Sequence, residues 1–182
     1  MNLLSPLLPL LSLASALASA DDLLVETSLG PVLGSLRSTS RGRTYYSFQG
    51  APSCPSSLQT SVICQKGLPY AAPPVGELRL VPPRPPQPWT EPLDLTADSE
   101  VMCPQLSETV AGELLGREDC LTLNIYAPTS AEALLPVLVY IYGGGFITGS
   151  ARTEEYGPDR WLDEDILVVT VNYRCELTVW AG

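Results

Sequence analysis

The sequence predicts an α/β fold in which short N-terminal strands lead into a central β-sheet. Two continuous β-branched segments carry this prediction: residues 136–142 read PVLVYIY and residues 166–173 read ILVVTVNY. Such runs are typical of strands buried on both faces of an α/β sheet. Residues 121–126 (LTLNIY) alternate between apolar and polar side chains, which predicts a third strand with one buried face.

Shorter strands are predicted in the N-terminal part of the chain. Residues 23–27 and 32–36 flank a Leu-Gly-Pro turn and predict a hairpin, and residues 44–48 (TYYSF) favour a further strand. The proline-rich residues 80–92 are incompatible with a helix interior or a central strand. Residues 51–67 are rich in Ser, Pro and Cys without periodicity, which predicts a loop.

The first twenty residues differ in composition from the rest of the chain. Residues 1–20 contain no charged side chain and end in Ala-Ser-Ala directly before two aspartates. This composition predicts a secretory signal peptide cleaved after Ala20, with residues 21–182 forming the secreted, extracellular domain. The alternative, a membrane anchor, is disfavoured because Pro6 and Pro9 interrupt the apolar run. No later segment reaches the roughly 18 apolar residues of a membrane span.

Charge and the histidine count exclude several functions. The 182 residues contain 20 acidic and 10 basic side chains, a net charge of -10, and no histidine. Binding to a phosphate backbone needs clustered Lys and Arg, so a nucleic-acid partner is not expected. Histidine is the commonest general base and the commonest metal ligand. We therefore expect neither a metal nor a cofactor.

Five cysteines are disulfide candidates if the chain enters an oxidising compartment. Because there is no C-x-x-C pair and no histidine, a zinc site is disfavoured. The number is odd, so at least one cysteine does not pair within the chain. The five are Cys54, Cys64, Cys103, Cys120 and Cys175.

The strongest chemical signal is a glycine triplet directly after a predicted strand, in residues 142–149 (YGGGFITG). Three consecutive residues without Cβ allow backbone N–H groups to converge on one point. Such a loop stabilises either a phosphate or the oxyanion of an acyl-transfer intermediate. Neither G-x-x-x-x-G-K-[ST] nor G-x-G-x-x-G is present, which disfavours phosphate. An oxyanion hole is favoured, and a simple tight turn remains the alternative.

Other reactive side chains offer no site. Adjacent carboxylates such as Glu118 and Asp119 point to opposite sides of a strand and do not form an acid/base pair. Residues 163–165 (DED) predict a solvated turn. Ser150 follows the glycine loop but has no base to activate it.

Three motifs resemble the type-B carboxylesterase family, which includes cholinesterases and the non-catalytic neuroligins. They are residues 68–80 (LPYAAPPVGELRL) followed by Pro88-Trp89, residues 118–126 (EDCLTLNIY), and residues 136–149 together with residues 171–174 (VNYR). The resemblance implies an α/β-hydrolase fold and hydrolysis of small carboxylic esters by a serine nucleophile. It also implies oxyanion donors at Gly144 and Gly145 and a disulfide between Cys103 and Cys120. Tyr142 resembles the cholinesterase version of the loop.

The chain departs from the family pattern at two places. Residues 51–67, with Cys54 and Cys64, are inserted between segments that run together in relatives, and residues 175–182 diverge. The family's G-x-S-x-G nucleophile elbow, acid and histidine have no counterpart here. We therefore expect the N-terminal portion of an esterase, inactive alone, or a splicing product. The alternative is a non-catalytic cholinesterase-like recognition or adhesion protein that binds a protein partner.

Overall fold

The structure is a computed structural model that describes residues 24–49, 67–96, 101–129, 134–152 and 157–175. Residues 1–20, nearly all of residues 51–67 and residues 176–182 lie outside the described residues, so the predicted signal peptide, Cys54 and Cys64 do too. The strands are β1 (Leu24–Glu26), β2 (Pro31–Leu33), β3 (Ser35–Ser38), β4 (Thr44–Phe48), β5 (Leu68–Pro69), β6 (Leu93–Asp94), β7 (Gln105–Leu106), β8 (Leu114–Leu115), β9 (Thr122–Pro128), β10 (Val137–Ile141) and β11 (Leu167–Val171). One short helix, α1 (Asp159–Leu162), and a 3-10 turn (Gly76–Leu78) complete the described elements.

A six-stranded sheet forms the centre of the fold, in the order β10-β11-β9-β4-β3, with β5 also paired to β9. Strands β3, β4, β5, β9 and β11 pair antiparallel, and β10 with β11 is the parallel pair. One face of the sheet packs against the small sheet of β1, β2 and β6 through Val25, Val32 and Leu95. On the other face Leu162 of α1 packs against Tyr126 and Val168.

Strand β9 is buried at all seven positions, so the prediction of a strand with one buried face is wrong. The alternation itself is real, because the apolar Leu123 and Ile125 lie on the core face. The polar side chains on the opposite face of β9 are also buried, and they form hydrogen bonds within the protein instead of with water. Asn124 donates to the Ala151 carbonyl oxygen at 2.8 Å and to the Thr170 hydroxyl at 3.0 Å.

The two β-branched segments have different environments. Strand β11 is central and buried at four of its five positions, as predicted. Strand β10 was predicted to be buried on both faces, and this is wrong: Ile141 is 67% exposed and Val139 is 37% exposed. The reason is topological, since among the described residues β10 pairs with β11 alone and forms the edge of the sheet.

The predicted N-terminal hairpin is confirmed as the antiparallel pair β1 and β2. The segment predicted as one strand at residues 32–36 is divided between two sheets, with β2 in the small sheet and β3 in the large one. Gly34 lies at the division against the ring of Phe48, where a Cβ would come within 2.5 Å of the ring. The absence of a side chain there lets the chain cross from one sheet to the other.

Strands β4 and β5 lie end to end along one edge of β9. Phe48 of β4 is opposite Ile125, and Leu68 of β5 is opposite Leu123. A single β9 residue, Asn124, separates the two partners. Residues 49–67 therefore connect two segments that pair with β9 on either side of Asn124.

The disulfide between Cys103 and Cys120 is present, and both cysteines are fully buried. The turn predicted at residues 163–165 is present, with Glu164 and Asp165 exposed. The Asp163 carboxylate is only 8% exposed, so the prediction of a solvated side chain is wrong for this residue. It accepts a hydrogen bond from the Thr39 hydroxyl and pairs with Arg41 at 3.3 Å, because the end of α1 packs against the β3–β4 turn.

Within the described ranges, no helix is long and apolar enough to cross a membrane.

Candidate active site

The glycine loop at residues 143–149 follows the end of β10 and adopts a backbone conformation that needs glycine. Gly144, Gly145 and Gly149 have φ values of 116°, 62° and 120°. A Cβ on Gly144 would lie 2.0 Å from the Thr148 carbonyl oxygen. Phe146 also has a left-handed φ of 64°, which is uncommon for a bulky residue. The loop is thus a tight, defined turn.

The turn leaves two backbone donors without an acceptor among the described residues. The Gly144 carbonyl oxygen accepts hydrogen bonds from the amides of Ile147 (3.0 Å) and Thr148 (3.2 Å). Among the described residues, none accepts a hydrogen bond from the N–H groups of Gly144 or Gly145. Both glycines are exposed. Two neighbouring amides are therefore available to an external anion.

Two stacked tyrosines support the loop from below. Tyr142 is 2% exposed, and its ring stacks on Tyr173 with a centroid distance of 4.2 Å. Burial raises the pKa of the Tyr142 phenol well above its usual range, so this hydroxyl stays protonated. Phe146 packs edge-on against Tyr173 at 6.3 Å. The Tyr142 ring also packs against Gly149, where a Cβ would come within 2.4 Å of it.

Gln105 at the start of β7 holds the far end of the loop. Its Oε1 accepts a hydrogen bond from the Gly149 amide at 2.7 Å, and its Nε2 donates to the Gly149 carbonyl oxygen at 2.9 Å. Sequence reasoning missed this residue. No local signal identifies it, because the contact spans 44 positions along the chain.

A cavity of about 470 Å³ opens between the glycine loop and the hairpin formed by β7 and β8. Glu108 lines it and accepts a hydrogen bond from the Thr148 hydroxyl at 2.7 Å. A second cavity of about 300 Å³ lies on the other side of the loop, against Phe146 and Tyr173. Gly143 lines both cavities, so the loop separates two spaces of small-molecule size.

The remaining sequence candidates do not join this site. Ser150 is 1% exposed and its Oγ accepts from the Arg152 Nε at 3.3 Å, so it is not presented as a nucleophile. Glu118 forms a two-point ion pair with Arg79, Nη2 to Oε2 at 2.7 Å, which raises the pKa of the guanidinium. Asp119 is half-buried, and burial raises its pKa.

Comparison with known proteins assigns the chain to a family. The model of the "Carboxylesterase family" matches residues 21–180. The chain belongs to the carboxylesterase family. Its fold is that of the α/β-hydrolase esterases, as the resemblance of the sequence motifs implied.

This member of the carboxylesterase family is similar to several characterised proteins. It is 39% identical to a juvenile hormone esterase from Tribolium castaneum over 153 residues, 83% of this chain and 23% of that protein. It is 40% identical to Esterase B1 of Culex pipiens over 157 residues, 86% of this chain and 26% of that protein. The crystal structure of the Manduca sexta juvenile hormone esterase matches with a TM-score of 0.68 and 33% identity, over 86% of this chain and 27% of that one. The chain spans about a quarter of the length of these relatives.

Proposed function

We propose that this chain supplies the oxyanion-binding loop of a carboxylic-ester hydrolase, with the backbone amides of Gly144 and Gly145 as donors. The observation that carries the proposal is that these two amides are exposed and make no hydrogen bond within the described chain. Family membership supports the reaction class. The cavity of about 470 Å³ beside Gly144 has the size of a small ester.

The amides act on charge that develops during the reaction. When a nucleophile attacks an ester carbonyl, the oxygen becomes an oxyanion that two preorganised N–H groups stabilise. Loss of one such donor typically costs about 10²–10³ in rate. The loop is closed by the hydrogen bonds of Ile147 and Thr148 to the Gly144 carbonyl oxygen, so little reorganisation is needed in the transition state.

Catalysis also requires groups that these 182 residues do not contain. The printed sequence has no histidine and no G-x-S-x-G nucleophile elbow. Triad members act as a unit, so an oxyanion loop without them retains at most a residual acceleration of roughly 10³–10⁴ over water, and only with an intact binding pocket. We propose that the nucleophile, acid and base come from sequence outside this chain, and that the chain alone is inactive.

We also propose that the chain is secreted after removal of residues 1–20. The disulfide between Cys103 and Cys120 is compatible with an oxidising compartment.

A chimeric enzyme tests the loop. Residues 24–175 replace the matched segment of Culex pipiens Esterase B1, which keeps the rest of its own sequence, and hydrolysis of p-nitrophenyl acetate is measured. We expect an active chimera in which Gly145→Ala lowers kcat at least 10-fold, because the strained backbone displaces a donor. The matched control is Gly42→Ala, also at a positive φ (83°) with open space around the Cβ, but in the β3–β4 turn. It should leave kcat unchanged.

Two outcomes contradict the proposal. A folded but inactive chimera would show that the loop does not serve ester hydrolysis, and would favour the recognition protein. Stoichiometric labelling of the 182-residue chain itself by a fluorophosphonate probe would reveal a nucleophile that the proposal denies.

A further inference from the structure

We propose that Gln105 is a positioning residue that fixes the glycine loop against the disulfide loop of residues 103–120. The proposal rests on the proposed function only where it concerns catalysis. The structural role, in which the Gln105 side chain holds Gly149 in place, does not depend on the proposed function.

The contacts of Gln105 are unusually complete for one side chain. Its amide bonds both backbone groups of Gly149, and Nε2 also donates to the Cys103 carbonyl oxygen at 3.2 Å. The residue is 5% exposed. Cys103 is itself covalently tied to Cys120. The amide therefore bridges a covalently closed loop and the end of the glycine loop.

The position of Gly149 is coupled to that of the proposed donors through Thr148 and the Gly144 carbonyl oxygen. Gly149 has a φ of 120°, and the Tyr142 ring lies so close beneath it that a Cβ would come within 2.4 Å. The preceding residue, Thr148, donates its amide to the Gly144 carbonyl oxygen at 3.2 Å. A shift of Gly149 therefore moves Thr148, and with it the peptide unit that joins Gly144 to Gly145 and carries the Gly145 amide.

Only a neutral group with a donor and an acceptor fits this position. The Gly149 amide needs an acceptor, whereas the carbonyl oxygens of Gly149 and Cys103 need a donor. A glutamine amide provides both, an ionised carboxylate provides only acceptors, and a methionine thioether is at best a weak acceptor. Removing the partner of a buried polar group leaves that group without compensation for its lost hydration.

Hydrogen exchange of the 182-residue chain tests the positioning. We expect Gln105→Met to raise exchange of the hydrogen-bonded loop amides of Ile147, Thr148 and Gly149 at least 10-fold. The matched control is Gln49→Met, because Gln49 is 0% exposed and bonds Ser47 and Tyr126, away from the loop. It should leave exchange in the loop at the wild-type rate. Equal exchange in both variants, or no rise in Gln105→Met, would overturn the proposal.

A second variant keeps the test decisive if Gln105→Met does not fold. The carboxyl introduced by Gln105→Glu replaces the amide's donor only while it is protonated. We expect its loop exchange, relative to wild type at the same pH, to be near normal at pH 4.5 and at least 10-fold faster at pH 8. A ratio that does not change with pH would contradict the hydrogen-bond role.

Kinetics of the chimeric enzyme separate this inference from the proposed function. Gln105→Met should lower kcat about 10- to 100-fold with little change in KM, because misplaced donors act on the transition state. Gln105→Glu should lose kcat as the pH rises. If loop exchange responds and the wild-type chimera is inactive, the proposed function fails while the positioning role stands. If the chimera is active and kcat ignores Gln105→Met, the catalytic part of the inference is wrong.

Discussion

Tyr142 and Tyr173 exchange hydrogen bonds in both directions, because the hydroxyl of each donates to the backbone carbonyl oxygen of the other. The two distances are 3.0 Å from the Tyr142 hydroxyl and 2.8 Å from the Tyr173 hydroxyl. The bonds join the chain directly after β10 to the chain two residues after β11. These two hydrogen bonds attach the first residue of the glycine loop region, Tyr142, to the segment that follows the buried strand β11.

Removal of either hydroxyl should destabilise the protein. Tyr173→Phe leaves the carbonyl oxygen of the buried Tyr142 without this donor, and an unsatisfied buried acceptor typically costs about 1–3 kcal/mol. Urea denaturation of the chimeric enzyme measures the loss. Tyr46→Phe is the control, since no hydrogen bond of the Tyr46 hydroxyl is found within the described ranges. Equal stability of the two variants would show that the reciprocal bonds contribute nothing.

Glycine should be required at one position of the triplet and dispensable at its neighbour. Gly144→Ala places a Cβ 2.0 Å from the Thr148 carbonyl oxygen, so the backbone must move, and the left-handed φ adds a cost of roughly 1–2 kcal/mol. Gly143→Ala meets no atom within 4 Å and does not have a positive φ. Thermal denaturation should show a lowered Tm for Gly144→Ala and a Tm near wild type for Gly143→Ala. The reverse order would mean that the loop adopts another conformation.

Deletion of residues 51–67 should preserve the sheet. Phe48 and Leu68 are opposite Ile125 and Leu123, so the gap to be spanned is one strand position, and the deletion leaves Gln49 and Gly50 to span it. One extra residue in an antiparallel pair forms a β-bulge, a common arrangement. We expect the deletion variant to be secreted with a Tm equal to or above that of the full chain. Loss of secretion would show that the inserted residues are needed for folding.

The half-buried carboxylate of Asp119 should make stability depend on pH. Burial raises its pKa above the ordinary Asp value of about 3.9, and the opposing effect of Arg117 is smaller. Between the unfolded and folded pKa values the native state binds more protons, so stability falls as the pH rises through that window. Asp119→Asn should therefore raise the Tm at pH 7 but not at pH 3.

The control for Asp119→Asn is Glu113→Gln, which removes the same charge from an exposed side chain before β8. A similar gain in both variants would point to relief of the net charge of -10, and not to burial of one carboxylate.

Much of the fold follows from local sequence. The hairpin of β1 and β2, the strand β11 and the exclusion of a helix interior or central strand from residues 80–92 were predicted, because turn residues, prolines and β-branched runs act over a few positions. The disulfide between Cys103 and Cys120 came from resemblance to a family, since spacing alone permits other pairings. The glycine triplet located the candidate site for the same local reason: residues without Cβ are needed where the chain turns tightly.

Local sequence alone predicted the hairpin of β1 and β2, the longer strands, the family and the position of the glycine loop. The packing of the whole sheet sets which strand is central and which lies at the edge. Strand β10 (VLVYI) is the more apolar of the two, yet β9 (TLNIYAP) has partners on both sides whereas β10 has only β11 among the described residues. The contact between Gln105 and Gly149 was decided at the same level, since it spans 44 positions and depends on where two elements meet. Burial and long-range hydrogen bonds are properties of that packing, and no local pattern specifies them.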